Sequence, residues 1–244
     1  MKKILSGLIF ALFLVVTIVP NTYAQDVVGT LSITLDQAVE MALNNNKGIR
    51  QVEYDIERGQ QVRNSVADDV KYIPSGQTDP AVAAAYTGLL ATDMQLQMTK
   101  KTLEMEKDKV TLNVFDKYTA VLATVKNLEL SELKLEKAQK DYQIAQICYS
   151  IGTVSQSQLK QAEYQNKTCR LSYELTQKEL EKAYENFNSI VGLNLNQRPL
   201  LVESIEFTPI EVVDLTNEVS RIIDGSPAIW LAEQQVDLYE VTLR

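Results

Sequence analysis

The chain has 244 residues, 24 of them basic and 32 acidic, for a formal charge of −8 with no histidine. The acidic balance argues against a nucleic-acid partner, which calls for clustered Lys and Arg. The missing imidazole removes the commonest general base and metal ligand. Two cysteines are too few for a disulfide framework, and no glycine-rich phosphate loop occurs. No nucleophile stands with a base and an orienting group, so the chain reads as non-enzymatic, with no cofactor and no metal.

In chain order, Lys2 and Lys3 precede an apolar run from Ile4 to Val19, then Pro20 and "NTYAQ". This is the pattern of a secretory signal peptide over 1–24, cut after Ala24. The run is shorter than the ~20 residues of a spanning helix. Removing the leader takes two lysines and no acid, which leaves a charge of −10.

Capping signals then set out the helices. Thr34 with Gln37 forms a capping box and opens a helix over 34–46. "NNNKG", Asn44 to Gly48, separates it from a second helix over 48–66. Asp79 before Pro80 is an N-cap with proline at the first helical position, and it starts a helix over 80–150. Ser155 with Gln158 is another capping box, with Val154 and Leu159 as its hydrophobic staple, for a helix over 155–192. Helices over 212–224 and 227–244 follow, the latter opened by Ser226 and Pro227.

The third helix is long, on the order of 105 Å at 1.5 Å per residue. Val114, Val121, Leu128, Leu135, Tyr142 and Tyr149 recur on it every seven residues. After the break, Leu159, Ala162, Asn166, Cys169, Tyr173 and Thr176 step by three and four. These are the two halves of an antiparallel coiled-coil seam, pairing Tyr149 with Leu159 and Tyr142 with Asn166. In that register Cys148 and Cys169 fill the seam roughly 15 Å apart, too far for a disulfide. The sequon at Asn166 falls mid-helix and is discounted. Leu112, Phe115, Leu122, Leu130, Leu133, Ile144 and Ile147 form a second apolar stripe on the long helix. It serves either a neighbouring subunit or the helix over 48–66.

A shift of 180 residues lays Leu35 on Leu215, Val39 on Val219, Ile49 on Ile229, Glu53 on Glu233 and Ile56 on Val236. The expected organisation is therefore one full repeat over 25–211, with its hairpin tip at about 149–159, and the start of a truncated second repeat over 212–244.

Three stretches resemble the TolC-like outer-membrane efflux protein family. "SITLDQAVEMALNNNKGIRQVEYDIERGQQ" carries a Leu-x-x-Ala-x-x-x-Ala-Leu pattern and an Asn-rich break. "YSIGTVSQSQLKQAE" carries Tyr-x-x-Gly-x-x-Ser at the hairpin end, and "SPAIWLAEQQVDLYEVTLR" resembles the start of the family's second repeat. The resemblance implies an all-α fold built on a long antiparallel coiled-coil hairpin. It also implies a homo-oligomer, a trimer in the family, acting as a passive efflux or secretion duct of the outer membrane and periplasm. Such a duct docks a periplasmic adaptor (membrane fusion) protein and an inner-membrane pump. The adaptor-docking tip falls on Gly152, Thr153, Val154, Ser155 and Leu159. A tight turn with no partner remains the alternative reading of that tip.

The sequence departs from the family in one place above all. The family has β-barrel strands between its second and third helices, but the interval Ala67 to Asp79 is too short for a strand of about 9–11 alternating residues. No barrel strand is recognisable, so insertion into the outer membrane is doubtful on this sequence. The competing expectation is an exported coiled-coil scaffold with no transport role.

Overall fold

The computed structural model describes residues 31–71, 80–202, 209 and 214–243. The leader and Asp79 lie outside the described residues. The elements run β1 (Ser32–Ile33), α1 (Leu35–Asn45), α2 (Lys47–Lys71), α3 (Pro80–Ser150), α4 (Gln156–Val191), β2 (Leu200–Leu201), α5 (Leu215–Gly225) and α6 (Pro227–Thr242).

The caps act where the sequence puts them. The Gln37 amide N–H donates to Thr34 Oγ1 at 3.3 Å, and the Thr34 N–H donates to Gln37 Oε1 at 3.0 Å. Asn46 ends α1 and also opens α2, its Oδ1 accepting from the Ile49 N–H at 3.0 Å. Asp214 caps α5 and Ser226 caps α6, with Pro227 at the first position, where a missing N–H costs nothing.

Two expectations need correction. The second helix continues past 66 to Lys71, and Val70 is buried on it. Eight residues, 72–79, therefore separate α2 from α3. The fold is also not wholly helical. β1 and β2 pair in parallel, Ser32 with Leu200 and Ile33 with Leu201. Strands of two residues leave no alternating pattern to read.

The core sits where α1 crosses the root of the α3–α4 hairpin. Ala38 and Ala42 are fully buried there, against a cluster that includes Val114, Tyr118, Val121 and Phe187. Two alanines one turn apart give α1 a flat face, so its backbone can lie close to both hairpin helices. Tyr118 and Phe187 meet edge to face, centroids 6.0 Å apart at 72°. The Tyr118 hydroxyl donates to the Ile33 carbonyl at 3.2 Å, which ties β1 to the core. Arg198 lies over the Tyr184 ring, 5.2 Å from its centroid.

Away from this root, α2 runs antiparallel along the first turns of α3. Arg63 pairs with Asp93 at 2.7 Å, and the Leu96 side chain lies against Gly59. α6 lies beside α3 on the other side of a groove lined by Val62, Leu96, Thr99 and Leu238. From about Leu112 onward, α3 has only α4 for company.

Candidate functional site

The distal end of the hairpin gathers four of the five expected tip residues into one loop. α3 ends in a Schellman motif. Gly152 takes φ +78°, the Thr153 N–H donates to the Cys148 carbonyl at 2.9 Å, and the Gly152 N–H donates to the Tyr149 carbonyl at 3.0 Å. The Thr153 hydroxyl donates to the same Cys148 carbonyl at 3.0 Å. Ser155 then opens α4 with both halves of its capping box, the Ser155 N–H reaching Gln158 Oε1 at 2.7 Å. Only Thr153 and Val154 lie between the left-handed glycine and the cap. A chain reversal this short has its backbone groups satisfied locally, which holds the tip in one shape.

Gly152, Thr153 and Ser155 are exposed, and Val154 is half-buried. Leu159 stands one turn up α4 and is also half-buried, so it faces the seam more than the tip surface. A side chain on Gly152 would meet nothing within 4 Å, so its glycine is explained by the backbone angle alone.

Two features of the tip escaped the sequence reading. Ile147 and Ile151 are more than three-fifths exposed and flank the loop. In addition, the 18 residues from Tyr142 to Leu159 carry no charge, in a chain that is 23% charged. A plot of charge along the sequence would have found that run. The first charges beyond it are Asp141 and Lys160. Lys167, held by Glu163 at 2.6 Å, has its pKa raised by that hydrogen bond. Tyr142 also acts on Lys167, which agrees with the expected seam register near the tip.

The chemistry of such a tip is recognition by shape. It offers small hydroxyls, amides and isoleucines on a rigid turn. Both cysteines are free thiols and half-buried. Among the described residues no group of three or more His, Cys, Asp or Glu is placed to hold a metal ion. Among the same residues no helix is long and apolar enough to cross a membrane.

The second apolar stripe can now be placed. Leu112, Phe115, Leu130, Leu133, Ile144 and Ile147 are all exposed, while Leu122 packs against the core. α2 lies along α3 only below Leu112, so the stripe is not its partner.

No protein-family model and no curated protein matches the sequence. Solved structures do match the fold. The outer membrane channel CmeC of Campylobacter jejuni superposes with a TM-score of 0.69 at 14% identity, over 85% of this chain and 52% of that one. The outer-membrane channel OprN gives 0.68 at 15% identity, over 85% and 54%. A membrane protein from Pseudomonas aeruginosa gives 0.68 at 15%, over 85% and 56%. The fold is that of the TolC-like outer-membrane channels, and the chain spans about half the length of the solved structures it matches.

Proposed function

We propose that this chain, which has the fold of the TolC-like channels, forms part of the wall of an efflux or secretion duct. In this reading it is exported and works as a homo-oligomer. It passes its cargo without catalysis, and its hairpin tip docks a periplasmic adaptor that leads to an inner-membrane pump. One observation carries the reading. The hairpin is apolar on two faces of α3: the seam that α4 buries and the stripe that nothing in the protomer covers. A hairpin that needs a neighbour on its far side is a wall element.

The tip suits docking because its geometry is fixed by its own hydrogen bonds and its surface is uncharged. Gly152, Thr153, Val154 and Ser155 form the contact, with Leu159 supporting it from the seam. The test is capture of the adaptor encoded beside the gene, together with melting curves. Val154→Asp should abolish capture with little change in melting. Full capture by Val154→Asp and by Gly152→Val would overturn tip docking.

A second reading has one observation in its favour. The eight residues between α2 and α3 fall short of even one membrane-crossing strand of about 9–11 residues. On that ground the chain would be an exported scaffold that a partner holds at the membrane. Recovery in a membrane fraction that survives a carbonate wash would decide against the scaffold.

A further inference from the structure

We infer that the uncovered stripe on α3 is occupied by the outer face of α4 from a second copy of this chain, with the two hairpin tips level. The inference rests on the duct reading in one respect only, that copies stand side by side with their tips in one plane.

The first observation is a stripe on α4 that the sequence reading passed over. Tyr164, Leu171 and Leu175 are exposed by 65%, 60% and 61%. They recur at seven and four residues, on the side of α4 away from α3. Both hairpin helices therefore carry an outer apolar face. At 3.5 residues per turn, each outer face lies roughly 150° around its helix from the buried seam. The helices run antiparallel, so the two outer faces lean to the same side of the hairpin plane. A row of hairpins joined through these faces curves in one direction.

The second observation is register. Within the hairpin, Tyr142 acts on Lys167, close to the expected pairing of Tyr142 with Asn166. Carrying that level across to a neighbour with its tip at the same height sets Ile144 opposite Tyr164 and Leu133 opposite Leu175. All four are exposed in the protomer. Lys137 falls opposite Leu171, where its stem can lie on the leucine while its ammonium stays on Asp141, 3.5 Å away. Farther from the tip the match ends, because Lys126 would face Lys182. The interface is thus confined to the distal half of the hairpin.

The third observation is the uncharged run from Tyr142 to Leu159. Identical copies bring like charges together wherever charges exist. A charge-free segment is the part of this surface that can approach its own copy without repulsion. The contact is head to tail, α3 of one copy on α4 of the next, and closes into a ring when the rotation allows.

The experiment uses the full chain with Cys148→Ser and Cys169→Ser. Added pairs are Ile144→Cys with Tyr164→Cys, and Leu133→Cys with Leu175→Cys. Mild oxidation should give a ladder of covalent oligomers from each pair. Ile144→Cys with Leu171→Cys is off register by seven residues, roughly 10 Å, and should stay monomeric. Mixing the two single variants should give dimers and nothing larger. Strong dimers from Ile144→Cys alone would point to an α3–α3 contact and overturn the assignment. So would equal yield from the off-register pair, or no product from either matched pair. Adaptor capture, measured on the same variants, reads the duct proposal separately. Capture without cross-links sinks only this interface, whereas cross-links without capture sink only the docking.

Discussion

Asn188 is fully buried one turn before the end of α4, and its amide does the work of several residues. Nδ2 lies 3.1, 3.2 and 2.8 Å from the carbonyls of Asn194, Leu195 and Gln197. It thereby pins the loop that carries the chain from Gly192 to β2. Asn188→Ala should cost about 2 kcal/mol, since buried carbonyls lose their donor. Asn188→Asp should cost more, because a buried carboxylate would face those same carbonyls. Chemical denaturation of the two variants checks the order, and equal midpoints would show that the loop is held some other way. At the other turn, Gly152→Ala should cost about 1 kcal/mol for its left-handed backbone. That is a fall of roughly 2–4 °C in Tm for a chain of this size. Gly152 and Ser155 were legible in the sequence because turn chemistry is local. Asn188 was not, because its partners lie in a loop that has no periodic signal. Tyr118 sits near the seam pattern, yet its bond to the Ile33 carbonyl, 85 residues away, could not be read from it.

Elements were legible wherever a cap and a period agreed. Thr34, Ser155 and Ser226 start helices as expected, and α3 spans the 71 residues its pattern promised. The end of α2 was misplaced because "ADDVK" holds no breaker, and the helix runs on until its described residues end. α1 explains its own motif. Ala38 and Ala42 show no exposed surface, so the Leu-x-x-Ala-x-x-x-Ala-Leu spacing is a close-packing face. Ala42→Leu should overfill that contact and cost about 1–3 kcal/mol. A thermal melt would show it, and an unchanged Tm would mean that α1 can lift from the hairpin at no cost. α5 makes the contrast. Leu215, Val219, Ile222 and Ile223 are exposed, and the 180-residue shift puts Glu218 and Ile222 where α1 has its alanines. With no helix buried against it, α5 should exchange its amide hydrogens well before α1 does. Equal protection of the two helices would mean that α5 has found a cover.

At the scale of the whole molecule, length follows from which faces are filled. α1 and the strand pair thicken the hairpin at its root, and α2 and α6 cover the first turns of α3. The distal part of α3 has one partner, so the molecule ends as a two-helix rod. The heptads made this shape legible, because a seam sustained over many turns cannot be folded back into a globule. The 180-residue repeat was legible as well, since matching apolar positions survive in the sequence. How copies meet was only half visible: the α3 stripe stood out by its period, whereas the three residues on α4 are too sparse to register without their exposure. The shape yields a sharp expectation for the isolated protomer. A compact chain of this length would have a radius of gyration of about 18 Å. A rod on the order of 105 Å long has one of about 30 Å. Small-angle scattering at low concentration should return the larger value, with a long tail in the distance distribution from the distal hairpin. Raising the concentration should increase the cross-section while the length stays nearly constant, because copies that join with level tips add width. Growth in length instead would mean that the tips meet end to end, and a value near 18 Å at any concentration would mean that α3 does not run unbroken from Pro80 to Ser150 in solution.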